Sequence, residues 1–316
     1  MRRIWRTVGI LASLLIIVSS GNAQPFPVHG WLDGIGSPDQ WTVAVMTPLN
    51  HVKDHEVLAV TVPCLERSLS AYGLTIVASD ELRPTLRRHR IRSSGQISTS
   101  DARIVQEYAK ADVILIPSID FYIDSPTNPE FGLSLRMIRP DQMRIVGAES
   151  HSATGEDFKR LFGVGVIKEI DSLVARVVDD AVAQLFEQIN RLAPQKIVYF
   201  KTKVVAVLQF DNLSDMNRAG SILTNWTISQ LVDRGIIVVE PGVVAEITAP
   251  LGDLPVAGID HRKRQAIRRL YDLSYFVTGR LDEFRLARGS SKGATPMLEF
   301  DARLIEAETG RIAETY

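Results

Sequence analysis

Apolar residues along this chain follow two rhythms, and each rhythm occurs twice. Val43, Ala44, Val45 and Met46 form an unbroken apolar run inside the segment from Trp41 to Leu49. A continuous run, rather than an alternating one, marks a strand covered on both faces. Leu58, Val62, Leu65, Leu69 and Tyr72 then step by four, three, four and three, which predicts one face of a helix stopped at Gly73. A strand from Leu74 to Val77 follows, then a second helical stretch with Ser98 as its N-cap. The strand Val113 to Ile116 runs into Ile119 to Tyr122 and a polar tip at Asp124 to Asn128, and strands return at Leu133 to Ile138 and Arg144 to Ala148. From Ser172, the pairs Leu173/Val174, Val177/Val178, Ala181/Val182 and Leu185/Phe186, then Ile189, outline the most strongly amphipathic helix of the chain.

Adding 162 to the numbering repeats this pattern. Thr42 to Asn50 falls on Val204 to Asn212, Gly73 to Val77 on Gly235 to Val239, and Ala111 to Asp120 on Leu273 to Asp282. Ser98 falls on Asp260, and an isoleucine precedes each cap (Ile97, Ile259). In the last hairpin the offset grows by five, since Arg136 to Ile138 matches Arg303 to Ile305, which places an insertion around Ala287 to Ala294. Three apolar segments in one register predict an α/β fold of two tandem units, each a mixed, mostly buried sheet with flanking helices and a C-terminal hairpin. The expected boundaries are 41–191 for the first unit, 192–202 for a linker and 203–316 for the second unit. On this alignment the second unit has no counterpart of the helix from Ser172 to Arg191.

Residues 1–23 read as a secretion signal: Arg2, Arg3 and Arg6 form a positive head, Val8 to Val18 an apolar centre, and Gly21-Asn22-Ala23 a small-residue end. The apolar run is shorter than the roughly 20 residues that span a bilayer, so cleavage leaving no transmembrane segment is the expectation. No cysteine stands just after it, and lipid attachment at a new N-terminus is not expected. Residues 24–40, with Pro25, Pro27, Gly30, Gly34, Gly36 and Pro38, read as an extended arm. The 316 residues are 45% apolar and 23% charged, a globular composition, and a net charge of -1 gives no general attraction to nucleic acid or an anionic membrane. Cys64, the single cysteine, cannot close an internal disulfide; it falls on Trp226, which predicts a buried helix position for both.

Chemistry is sparse. His51, Asp54 and His55 share a loop after a strand, no further ligand is identifiable and the counterpart Leu213 to Asn217 has no histidine, so a solvated loop is expected in place of a metal site. Gly163-Val-Gly165 and Gly34-Ile-Gly36 lack the third glycine and the strand-to-helix setting of a phosphate loop. No serine sits in a Gly-x-Ser-x-Gly elbow. Asp120 and Asp282 occupy equivalent strand ends, where a turn or strand-end hydrogen bond is the expectation. Neither a catalytic set nor a cofactor or metal is expected. Two basic runs remain, Arg83, Arg87, Arg88, Arg90 and Arg92 in the first unit and Arg262, Lys263, Arg264, Arg268 and Arg269 in the second, expected in corresponding stretches. The second run is the candidate interaction surface for an acidic partner, an anionic glycan or lipid headgroups; no aromatics are interleaved for stacking on bases, and a solvated helix face is the competing reading.

Val204-Val-Ala-Val-Leu-Gln-Phe-Asp-Asn-Leu-Ser214, Val238-Val-Glu-Pro241, Tyr275-Phe-Val-Thr-Gly279 and Ala307-Glu-Thr-Gly-Arg311 together resemble the curli-secretion-channel/TolB-amino-terminal superfamily over most of Lys203 to Tyr316. The first unit is a diverged copy in which Pro48 replaces Phe210. The resemblance implies a non-enzymatic periplasmic scaffold or assembly factor of the bacterial envelope, in secretion, flagellar or cell-wall machinery and near the outer membrane. Its partners would be envelope proteins or peptidoglycan, not nucleic acid, and it could form an oligomer. The chain lacks alternating membrane-spanning hairpins, so pore formation is not carried over. The alternative expectation is a periplasmic small-ligand or glycan-binding protein using a cleft between the units.

Overall fold

The computed structural model describes residues 37–52, 54, 56–92, 95–158, 165–192, 203–248, 261–285 and 297–315. The expected secretion signal, most of the expected arm, almost all of the expected linker, the expected insertion near Ala287 to Ala294, His55, Asp260 and both glycine pairs expected not to bind phosphate lie wholly or partly outside the described residues. The chain divides into two compact units.

In the first unit the elements are β1 (Thr42–Val45), β2 (Leu49–Asn50), α1 (Glu56–Ser70), β3 (Thr75–Val77), α2 (Ser79–Arg88), α3 (Thr99–Ala109), β4 (Val113–Ile123), β5 (Glu130–Arg139), β6 (Arg144–Thr154) and α4 (Ile170–Leu192). The strand order is β6-β5-β4-β1-β3. β3, β1 and β4 are parallel, and β5 and β6 add antiparallel hairpins. The chain crosses from β1 to β3 on one side and from β3 to β4 on the other. Right-handed crossovers therefore put α1 on one face and α2 and α3 on the opposite face. Alternation along the strands fills both faces. Val43, Val45, Val113, Leu115, Leu133, Leu135 and Met137 pack with Leu65 and Leu69 of α1 and Val177, Val178 and Leu185 of α4 in one core. Ala44, Ile114, Ile116 and Ile138, equally buried, alternate with them.

Several local expectations shift. The strand expected from Trp41 to Leu49 is interrupted after Val45; the chain leaves β1 and rejoins the sheet as β2, pairing Leu49 with Ser118 and Asn50 with Ile119 of β4, and the second unit breaks at the matching place, between Val207 and Asp211, with Phe210 where the first has Pro48. The buried stripe of α1 is Val57, Thr61, Cys64, Leu65, Ser68 and Leu69, so Leu58 and Val62 turn partly outward. Tyr72 lies beyond the helix and stacks on Phe186 of α4 with ring centroids 4.6 Å apart. The stretch read as a second helix is two helices, α2 and α3. Ser98 caps α3, its side chain accepting from the Asp101 N–H at 3.0 Å. Gly73 follows α1 with φ +80, a conformation that favours glycine.

In the second unit the elements are β7 (Val204–Val207), β8 (Asp211–Asn212), α5 (Ala219–Asp233), β9 (Ile237–Val239), α6 (Pro241–Thr248), α7 (His261–Tyr271), β10 (Tyr275–Arg285), β11 (Met297–Glu306) and β12 (Ile312–Thr315), in the order β12-β11-β10-β7-β9. Its parallel pairings carry the register of the first unit 162 residues on: Val43 with Val113 becomes Val205 with Tyr275, and Leu49 with Ser118 becomes Asp211 with Arg280. The loops after β2 and β8 also match. Asn50 Nδ2 donates to Asp54 O at 2.7 Å and Asn212 Nδ2 to Met216 O at 2.8 Å, while each Asn Oδ1 accepts an N–H two residues on. One helix differs. Unlike one-faced α1, α5 buries residues all round, including Thr224, Thr227 and Ser229, whose hydroxyls donate to helix carbonyls at 2.8 Å.

Candidate functional site

Both long hairpins carry a β-bulge at the same place. The register of β4 against β5 shifts between Ile119 and Phe121, and that of β10 against β11 between Leu281 and Glu283, so Asp120 and Asp282 are the extra residues. They lie within strands, not at strand ends.

Asp120 is 6% exposed. Ser134 on β5 donates its hydroxyl to Asp120 Oδ2 at 2.6 Å, and Ser134 Oγ lies 2.9 Å from Ser150 Oγ on β6. Asp120 Oδ1 is buried and has no hydrogen-bond partner among the described residues. Ser118, two residues earlier on the same face, places a buried hydroxyl nearby that makes no bond of good geometry. Arg136, also buried, donates from its guanidinium to the carbonyl of Gly95, just before α3. Burial drives the Asp120 carboxyl up to about 7, against the smaller opposing pulls of the Ser134 hydroxyl, the Ser118 hydroxyl and the Arg136 charge. Asp120 thus gains or loses its proton near neutrality inside the sheet.

Asp282 meets different chemistry. Arg280 Nε lies 2.7 Å from Asp282 Oδ1 and Arg280 Nη2 lies 3.2 Å from Asp301 Oδ2, with the three side chains a third to a half exposed. The Asp282 and Asp301 carboxylates raise Arg280 further above its already high value.

The candidate basic residues serve the fold in part. Arg264 Nη2 donates to Thr309 O at 3.3 Å, Gln265 Nε2 to Glu308 O at 2.9 Å, and Arg268 Nη2 lies 3.4 Å from Glu308 Oε1. These bonds hold α7 to the turn between β11 and β12, where Gly310 has φ +76 and an added Cβ would strike the Arg264 guanidinium. Arg262 and Arg269 are exposed, and the Lys263 side chain lies outside the described residues. The two basic runs do not correspond. Arg83, Arg87 and Arg88 sit on α2, with Arg90 and Arg92 beyond it, whereas α7 is the counterpart of α3. A solvated helix face carries no register to keep its charges aligned between units.

The expected histidine loop is a turn built around Asn50, and among the described residues no group of His, Cys, Asp and Glu side chains is placed to hold a metal ion. None of the helices searched among them is long and apolar enough to cross a membrane. Sequence reasoning missed Ser118, Ser134, Arg136 and Gly95. The available signal was polar residues two apart inside apolar strands, Ser118 with Asp120 and Ser134 with Arg136, which period-two alternation puts on one face.

Each unit is a parallel three-stranded core, wound in opposite directions from its central strand and extended by antiparallel hairpins. No protein-family model matches the chain, and no curated protein matches it. Solved structures similar in part include lipoprotein GNA1162 from Neisseria meningitidis, 16% identical over 36% of this chain and 76% of that one, with a TM-score of 0.29. The C-terminal domain of LpoB from Escherichia coli is 15% identical over 36% of this chain and 82% of its own, with a TM-score of 0.29. The PelC dodecamer from Paraburkholderia phytofirmans is 12% identical over 52% of this chain and 94% of its own, again with a TM-score of 0.29. The likeness is one of partial chain trace.

Proposed function

We propose that this chain is a non-enzymatic scaffold or assembly factor of the bacterial cell envelope, exported by its amino-terminal signal, with two units descended from one duplicated α/β unit. One observation carries the non-enzymatic part. Open α/β sheets take ligands where the winding reverses, beyond the carboxyl ends of the adjacent strands. Here that place lies between β1 and β4, and between β7 and β10. In both units the chain itself returns to it, as β2 on β4 and as β8 on β10. An Asn-anchored turn then closes each return. The equivalent bulge residues keep the backbone frame while differing in chemistry, as expected when selection acts on shape and surface. The envelope location draws support from the pattern of residues 1–23 and from the curli/TolB resemblance. Pull-down of the mature chain from periplasmic extract should capture the same envelope protein at low and high salt. Uniform recovery in the cytoplasm, or no captured envelope protein at either salt, would count against the reading.

A further inference from the structure

We propose that Arg136 is a two-position latch, bonded to the Gly95 carbonyl while Asp120 is protonated and drawn to the Asp120 carboxylate when the proton leaves, so that residues 95–98 are held to the sheet only in the protonated state. The geometry supplies both seats. In the first, the guanidinium bonds Gly95 O. Gly95 lies with φ +69 against Leu49 of β2, and Ile97, two residues on, is 2% exposed. The second seat is Asp120 Oδ1, a buried acceptor with no hydrogen-bond partner among the described residues. Asp120 and Arg136 share the sheet face on neighbouring strands, since Arg136 pairs with Ile116 and Ser134 with Ser118.

Few other charges compete for the carboxyl. From β5 it meets Ser134 and Arg136, from its own strand Ser118, and from β6 Ser150 through Ser134. The inward residues of α2 and α3 are neutral, namely Ser79, Leu82, Thr85, Leu86, Ala102, Val105 and Ala109. From the loop after β2, His51 donates its N–H to Ile119 O on β4 at 3.1 Å and has a buried Nε2. A buried carboxylate without a counter-charge is costly, and a guanidinium within its own flexible reach is the partner that offsets that cost. Gly95 O then loses its donor, which loosens the hold of its segment on the sheet.

The test combines two measurements on the full mature chain: the Asp120 carboxyl carbon shift by NMR across neutral pH, and hydrogen-exchange protection factors for Gly95, Gln96 and Ile97. In the wild type the carboxyl should titrate near 7, and protection at these three amides should fall by roughly tenfold or more through that titration while β1 amides hold steady. Asp120→Asn should keep the segment protected at every pH, and Arg136→Gln should leave it unprotected at every pH. If Arg136→Gln fails to fold, the Asp120→Asn comparison still decides. The latch is refuted if Asp120 titrates while protection stays constant, if it titrates at an ordinary carboxylate value, or if Asp120→Asn loses protection in step with the wild type.

Discussion

Asp120 and Asp282 occupy the same bulge, in the same register, on the same strand of two units with one topology, yet one is a buried acid and the other a partly exposed ion-pair partner. Their strands differ little. The residue two places before each is Ser118 in one and Arg280 in the other, and the facing strand offers Ser134 and Arg136 against Asp301 and Arg303. In the first unit Arg136 reaches up to Gly95, and the face is closed; in the second Arg280 bridges two carboxylates, Asp282 and Asp301, in contact with solvent. The lesson is that hydrogen-bonded pairing fixes where a side chain stands, while the groups packed over the face decide its charge.

The largest effect expected from this contrast is on stability against pH. The folded-state value of Asp120 lies above its unfolded value, so the folded chain holds the proton more tightly. Stability is full below the unfolded value of 3.8, falls as pH rises, and reaches its floor above the folded value of about 7. A shift of that size corresponds to about 4 kcal/mol between the two limits. Urea midpoints measured across this range should show the decline in the wild type and lose that component in Asp120→Asn. Asp282→Asn should leave the decline intact. Equal changes of slope in both variants would erase the contrast between the two bulges.

A second difference sits one step away on the same strands. Phe210 lies over Gly279, where an added Cβ would strike both the ring and the carbonyl of Asp301. The first unit has Pro48 and Pro117 at the matching places. Without the ring, one of the two obstacles to a larger residue at the facing glycine is gone. Gly279→Ala should cost about 1–3 kcal/mol by overpacking. In a Phe210→Ala background the same change should cost less, with a coupling on the order of 1 kcal/mol, because the ring clash is gone and the carbonyl clash remains. Pro117→Gly in the first unit should cost about 1 kcal/mol or less, chiefly through the unfolded chain. Additive Gly279 and Phe210 effects in thermal unfolding would mean that the two positions are unrelated.

The frame of both units was legible because it depends on residues close in sequence. The apolar run that begins at Val204, read as a strand to Phe210, the glycine at Gly235 and the strand read from Tyr275 to Phe284 each declare themselves within a few residues, and their offset from the first unit follows. The break that splits the expected first strand into β1 and β2 was hidden, since the second piece is defined by a ladder with β4 that forms nearly 70 residues away. The Asp120 site was far less legible. Its burial needs Gly95 and Arg136, separated from each other by 41 residues, and a serine at position 134 that looks unremarkable in a strand. The partners of the basic residues were hidden for a related reason. Arg264 and Arg268 read as a free positive face until the turn at Glu308 and Thr309 folds back against them.

The smallest expected effect tests the exposed side of the comparison. Arg280→Gln removes both ion pairs, to Asp282 and to Asp301, at a place where water already solvates the partners. Exposed pairs gain little because hydration competes with them and dissolved ions screen what is left. The unfolding midpoint should therefore move slightly at low salt and not measurably at high salt, with the bulge between Leu281 and Glu283 retained in the amide spectrum. A salt-independent loss as large as that of Gly279→Ala would show that the Arg280 bridge supports the bulge itself. The second unit would then depend on its charges as the first depends on its buried acid, and the difference between the two sites would be one of chemistry without being one of consequence.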